Sequence, residues 1–342
     1  MEDHTTIAVD LSKSVFEIAV SQLPGRVSER KRLSRGQVMK FFANRPPATV
    51  LLEACGSAHH WARQIEPLGH RVLLLPPHQT RRYVLRDKTD GADANALLEA
   101  HRNEQIFPVP VKTLHQQALA ALHRIRSGWM GARVARLNAI RGILRELGLF
   151  IPVGAKHVLP WLGTFLADSR QPIPGEFHST LLALVAEVRT LDSNIRDAEK
   201  QLAATAADSP DATRYLTVPG IGLITATALV AFVGPLQRFR SGRRFASSLG
   251  LVPRESSSGL CRHLGSITKR GDPYLRTLLI HGARSVLLAA SRVKRPDRLQ
   301  AWALSVLHRR GYNRAAVALA NKLARILWAV SVHQTDYHSS AA

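Results

Sequence analysis

The chain has 342 residues, 45% of them hydrophobic and 21% charged, proportions that exclude general disorder and a fibrous repeat and that suffice for two or three domains. Forty-seven Lys and Arg against 25 Asp and Glu leave a net charge of +22, far more than solubility requires, so a polyanion is the expected partner. The excess is uneven: from Gln237 onward nineteen cations face only four acids, Glu255, Asp272, Asp297 and Asp336, which places the electrostatic footprint at the C-terminus.

In chain order, Thr6 to Asp10 and Val15 to Ser21 are short β-branched runs that turn at Ser12 and Lys13 as a hairpin, and a third short strand is expected near Lys31 to Leu33. Gln37 to Ala43 reads as a helix, Ala48 to Leu52 as an apolar strand ending at Glu53, Ala58 to Leu68 as a helix, and HRVLLLP as another buried strand. The order β-β-β-α-β-α-β-α predicts an α/β domain with a mixed sheet over residues 1–105. Residues 106–208 change character. Leu137, Ile140, Leu144 and Leu147 recur among arginines in a long basic amphipathic helix from Val111 to Leu149. Prolines at 152, 160, 172 and 174 interrupt it, and Ser179 to Ala207 resumes the pattern. Two such helices predict an antiparallel coiled-coil arm, either a solvated spacer or a nucleic-acid or dimerisation element.

The last stretch, 209–342, reads as mainly α. LTVPGIGLITATALV places a Pro-Gly-Ile-Gly turn ahead of an Ala-rich helix, in the manner of a helix-hairpin-helix. Its glycines either admit a phosphate to the backbone or simply link two packed helices. Thr277 to Ala290 and Arg314 to Val332 have the apolar spacing of packed helices. No apolar run approaches ~18 residues and neither end carries a lipidation motif, so no membrane partner is expected. Cys55 and Cys261 are too few for a disulfide framework and lack zinc-ligand spacing. Met1-Glu-Asp-His is not the start of a signal peptide, and a cytoplasmic protein is expected.

Four acids carry the chemistry of the front half. Asp10 and Glu53 end strands, and Asp90 and Asp93 in KTDGADANALLEA share one helix face at i and i+3. Carboxylates in that number on a basic protein suit Mg2+, with Mn2+ as the alternative, poised for phosphoryl transfer. In the back half, RESSSGLCRHLGSITKRGDPYLR sets three serines before Gly259 among Arg262, Lys269, Arg270 and Arg276, cations able to neutralise a phosphoryl group under attack. Arg309, Arg310, Arg314 and, a few turns later, Lys322, in a basic stretch ending at Trp328, are further candidates for phosphate contact. His59, His60 and His101 have no metal-ligand spacing, and Trp129 and Trp161 are expected to be core.

These segments together resemble the insertion sequence 110 family of transposases, particularly its insertion sequence 1111 branch, related to the Piv invertases. The resemblance runs nearly end to end, through IAVDLSK, LLEACGS and KTDGADANAL in the front half and LTVPGIG, FASSLGLVPRESSSG and LGSITKRGDPYLR with HGAR in the back. It implies a ribonuclease H-like, RuvC-type domain whose DEDD set, Asp10, Glu53, Asp90 and Asp93, holds the metal. It also implies a serine before Gly259 that attacks DNA to form a phosphoserine link: Ser258 first, or Ser257 if the alignment shifts by one. The family's Ser-Gly-Gly-Lys is Ser-Gly-Leu-Cys here, which leaves Arg262 as the nearest replacement cation. Further implied are a non-coding bridge or seeker RNA as guide, donor and target DNA as substrates, and a homo-oligomer, dimer or tetramer, whose subunits share a composite site. The competing readings are a RuvC-like junction nuclease using metal-activated water, and a non-catalytic nucleic-acid-binding protein.

Overall fold

The computed structural model describes residues 5–84, 90–168 and 173–339, with Asp90 placed by its backbone alone. The chain divides into two compact units, residues 1–115 and 116–342.

In the first unit β1 (Thr6–Leu11), β2 (Val15–Ser21) and β3 (Glu29–Ser34) form an antiparallel meander. After α1 (Val38–Ala43), β4 (Thr49–Glu53) pairs parallel with β1, and after α2 (Ala58–Ile65), β5 (Arg71–Leu75) pairs parallel with β4. The sheet order is β3-β2-β1-β4-β5. A four-residue helix, α3 (Pro77–Thr80), follows β5, and α4 (Asp90–His101) completes the unit.

Strict alternation along the strands builds two cores from one sheet. Ile7, Val9, Phe16, Ile18, Val50 and Leu52 face one way, against Val38 and Phe42 of α1 and Trp61, Ala62 and Ile65 of α2. Ala8, Ala19, Leu51 and Leu75 face the other, against Ala94, Leu97, Leu98 and Ala100 of α4. Alanines at positions 8, 19, 94 and 100 bring α4 close to the sheet, because neither surface has a bulky side chain in the way. The edge strand β3 is largely exposed and carries Arg30, Lys31 and Arg32, charges that discourage pairing with another chain.

The second unit begins within the first turn of α5 (Leu114–Glu146), followed by α6 (Val158–Ala167) and α7 (Gly175–Ala207). The long helices α5 and α7 run antiparallel. Arg126 meets Glu199 at 2.5 Å, Arg133 meets Asp192 at 2.5 Å, and Arg136 meets Glu187, so partner numbers fall as α5 numbers rise. Leu137, Ile140 and Leu144 pack on Leu181, Val185 and Val188, and Val158, Leu162 and Phe165 of α6 close the seam. Three of α5's arginines are thus neutralised inside the unit. The interruption expected at Pro160 is instead a helix, because proline sits in the first turn of α6, where its missing N–H had no partner to lose. Trp161 stacks on Phe165 at 5.2 Å in this cluster, the core role expected of it.

Then come α8 (Pro210–Leu216), α9 (Leu223–Phe232) and α10 (Gly242–Ser248), a hairpin of β6 (Pro253–Glu255) and β7 (Leu264–Ile267), and α11 (Pro273–Ala290), α12 (Arg298–Arg310) and α13 (Tyr312–His333). α13 is long and apolar enough, by length and composition, to cross a membrane. Ala315, Ala316, Leu319, Ala320, Leu323, Ala324 and Leu327 are all buried in the main cluster of this unit, so its apolar surface is that of a core helix. Within the basic stretch 309–328, Gly311, at φ 78°, ends α12 and starts α13.

The Pro-Gly-Ile-Gly turn lies between α8 and α9. Gly220 has φ +78°, and a Cβ on it would lie 2.6 Å from the Gly282 carbonyl oxygen of α11. A Cβ on Gly282 would in turn lie 2.1 Å from the Gly220 carbonyl oxygen. Gly220 therefore serves close packing of backbone on backbone, whereas a Cβ on Gly222 would meet nothing within 4 Å.

Where α5 meets the helical core, His123 is buried between Phe232 and Tyr274, its Nδ1 3.1 Å from the Tyr274 hydroxyl. Burial, reinforced by the nearby Arg126, pushes the imidazole down to about 4 from 6.5. A depressed folded pKa means the unfolded chain binds the proton first. The stability contributed by the neutral ring is therefore complete above pH 6.5 and is lost as pH falls toward 4, to a total of about 3 kcal/mol. Denaturant titrations of the wild type and His123→Gln from pH 7 to pH 4 are expected to show the gap between them shrinking by that order. A constant gap would mean that the imidazole titrates in the fold as it does in the unfolded chain.

Candidate active site

The registry of the parallel strands places the front-half acids. Ala8 pairs with Leu51 and Val9 with Leu52, so Asp10 and Glu53 come next on neighbouring strands, at their C-terminal ends. By alternation both point the way Ala8 and Leu51 do, toward α4. Asp93 lies one turn into α4. The carboxyl ends of parallel strands are where open α/β sheets bind ligands, because the chain leaves the sheet there and opens a crevice. In this chain that crevice is a cleft of about 600 Å3 lined by Asp10, Glu53 and Asp93 together with Cys55, His78 and Arg81. Of the four predicted ligands three therefore share one cleft. Asp90 is the first residue of α4, and its side chain lies outside the described residues.

The donor set suits a hard divalent cation, since carboxylate oxygens dominate. Among the described residues, no three acidic, His or Cys side chains are close enough to hold one ion together. His78 and Arg81 were missed in the sequence. The signal available was their position just after β5, the third strand whose carboxyl end faces the same crevice.

The serines occupy the tip of the β6–β7 hairpin. Ser258 and Cys261 exchange both backbone hydrogen bonds, 3.2 Å and 3.1 Å, around Gly259 and Leu260. Gly259, at φ +55°, is the first central residue of that two-residue loop, a left-handed position at which glycine avoids strain. Ser257 Oγ donates to Glu255 Oε1 at 3.0 Å and accepts from the His263 N–H at 3.2 Å. Arg262 reaches the same carboxylate at 3.0 Å and 3.5 Å. These hydrogen bonds, from Arg262 first and Ser257 second, hold the Glu255 carboxyl below the usual range. Ser258 Oγ makes no hydrogen bond among the described residues.

The other predicted cations fall into three groups. Arg276 turns inward, giving hydrogen bonds to the Leu249 and Arg270 carbonyls at 3.1 Å and 3.2 Å, and so pins the loop before α11 to the turn after α10. Gly271 belongs to the same contact, because a Cβ there would lie 1.9 Å from the Ser248 carbonyl oxygen. Lys269, Arg270, Arg309, Arg310 and Arg314 are exposed. Lys322 lies over the Trp302 ring at 4.0 Å, and burial beside Arg325 and Arg298 lowers its pKa.

A mixed five-stranded sheet with carboxylates at the ends of its central parallel strands, in a chain this basic, is compatible with the ribonuclease H-like class of nucleic-acid-processing enzymes. The model of the Transposase IS116/IS110/IS902 family matches residues 212–303, and a transposase model of the DEDD, IS110 type matches residues 7–148. The chain is 43% identical to a probable family 20 transposase of Pseudomonas aeruginosa, over 97% of this chain and 98% of that one. It is 37% identical to the transposase for insertion sequence element IS1111A of Coxiella burnetii, over 100% and 93%, and 38% identical to that for IS1328 of Yersinia enterocolitica, over 98% and 99%. The chain belongs to the IS110 family of transposases, enzymes of DNA recombination.

Proposed function

We propose that this protein is the RNA-guided transposase of an insertion sequence and that it cleaves and rejoins DNA through a phosphoserine intermediate. Residues 1–105 would be the RuvC-like domain, 106–208 the coiled-coil arm, and 209–342 the transposase domain bearing the serine. The observation that carries the reading is the placement of Asp10, Glu53 and Asp93 on one cleft at the carboxyl ends of adjacent strands. Those three residues and Asp90 would hold Mg2+ or Mn2+, which offers its charge to the non-bridging and leaving oxygens of a phosphodiester. The chain's own groups do the rest: a serine of the pair 257–258 supplies the nucleophile, and Arg262, Lys269 and Arg270 balance phosphate charge at the hairpin.

Arg309, Arg310, Arg314 and Lys322 would hold the backbone of donor DNA, target DNA or guide RNA, with Arg276 acting through the loop it pins. Base pairing with the non-coding RNA would then select the sequence, and the protein would grip phosphates and shape. A homo-oligomer in the bacterial cytoplasm is the expected working form.

The test is a suicide DNA substrate carrying the element's ends, incubated with protein, metal and RNA transcribed from the element's flanks. A nucleotide-bearing peptide covering 254–262 is expected by mass spectrometry, and it should be missing without the RNA. Cleavage that proceeds without any adduct, and that survives Ser257→Ala and Ser258→Ala, would replace this reading with a metal-dependent junction nuclease.

A further inference from the structure

A hydroxyl that attacks phosphorus must lose its proton, and the recognisable arrangement for that is a hydroxyl within hydrogen-bond reach of a base which a third group orients. The β6–β7 hairpin contains one such arrangement. Ser257 Oγ donates to Glu255 Oε1 at 3.0 Å, and Arg262 holds the same carboxylate from the opposite strand at 3.0 Å and 3.5 Å. The backbone N–H of His263 meets Oγ from the other side at 3.2 Å, so the serine's rotamer is fixed with its proton directed at the carboxylate. Ser258, one residue on, makes no side-chain hydrogen bond among the described residues. We infer that Glu255 is the proton acceptor for the hairpin's attacking hydroxyl, and that Ser257 is the serine it activates.

The step balances without an outside reagent. Ser257 Oγ bonds to the scissile phosphorus as its proton passes to a Glu255 oxygen. The bond from phosphorus to the leaving sugar oxygen breaks, and that oxygen takes a proton from solvent water. Arg262 gives the device a dependence on substrate. While it pairs with Glu255 it holds the carboxylate ionised and weakly basic. An arriving phosphate competes for the guanidinium, and a carboxylate that has lost its counter-charge accepts a proton more readily just where one is released. The other charged or titratable groups beside Glu255 are its strand neighbour Arg254 and, across the hairpin, His263 next to Arg262.

This inference rests on the phosphoserine reading, and one experiment separates the two. The full-length protein with RNA transcribed from its flanks and a suicide DNA duplex of the element's end is followed by mass spectrometry, which reports both the rate of adduct formation and the modified residue. The adduct is expected on Ser257. Glu255→Gln, which keeps the hydrogen bond but takes up no proton, is expected to slow it by about 100-fold. It should also remove the acid limb of the pH–rate profile, and Glu255→Asp should restore that limb in part. Equal melting temperatures for these variants separate the proton-transfer role from a merely structural one. An adduct on Ser258, or a Glu255→Gln protein with wild-type rate and profile, overturns the assignment of Glu255 while leaving the phosphoserine in place. No adduct from the wild type overturns both.

Discussion

Asp10→Asn is expected to reduce DNA strand cleavage by about a thousandfold or more at an unchanged melting temperature. Asparagine keeps the size and shape of the side chain, removes its charge and exchanges one acceptor oxygen for a donor NH2. Asp10 is at the end of β1 rather than in the alternating apolar rows, so neither sheet core loses a contact. What is lost is one of three carboxylates around a single cleft, and with it much of the attraction for a divalent cation whose affinity depends on the number of charged oxygens. The measurement is cleavage of end-labelled DNA across a series of Mg2+ and Mn2+ concentrations, beside a thermal melt. Partial recovery at high Mn2+ is expected, since Mn2+ stands above Mg2+ in affinity for such sites. Unimpaired cleavage at ordinary metal concentrations would remove Asp10 from the active site.

The largest effect on stability is expected from Gly282→Ala. The added methyl would lie 2.1 Å from the Gly220 carbonyl oxygen and 3.1 Å from its carbon, both backbone atoms with no rotamer to change. Relief requires moving α11 away from the turn between α8 and α9, and those helices share the main cluster of the second unit. Overpacking of a rigid contact costs about 3 kcal/mol or more, which for a unit of this size is a fall of roughly 10 °C in melting temperature. Calorimetry should show the loss in the second unit's transition and leave the first unit's unchanged. Gly128→Ala on the open face of α5, where a Cβ meets nothing within 4 Å, is the control, and it should be neutral or slightly stabilising. A Gly282→Ala protein melting like the wild type would show that the helices have room to spare.

Gly282 also illustrates what the sequence hid. HGAR stands out as part of a family resemblance, but nothing in its composition says that its glycine meets the glycine of a turn some sixty residues earlier; that pairing exists only once both helices are packed. The hairpin is similar. Three serines and a glycine have the composition of a surface loop, and only the pairing of Glu255 with Arg262 and the donation from Ser257 show that its side chains order one another. The helix through Pro160 departs from the sequence expectation for the opposite reason. Local rules for glycine and proline depend on where in a helix the residue falls, and that position is fixed by packing.

The sequence by itself determined the alternating strands of the first unit, the acids that end two of them, the long helices and their basic character, and the family. The strands and helices are written in near-neighbour patterns of polarity, whose period the backbone geometry dictates, and the family in its motifs. The tertiary structure decided which charges meet. Arg126, Arg133 and Arg136 are matched by acids on α7, Arg262 by Glu255, and Arg276 by two carbonyls, while Asp10, Glu53 and Asp93 come to one cleft from three separate elements. A charge's partner is set by distance in space, and Coulomb's law takes no account of separation along the chain.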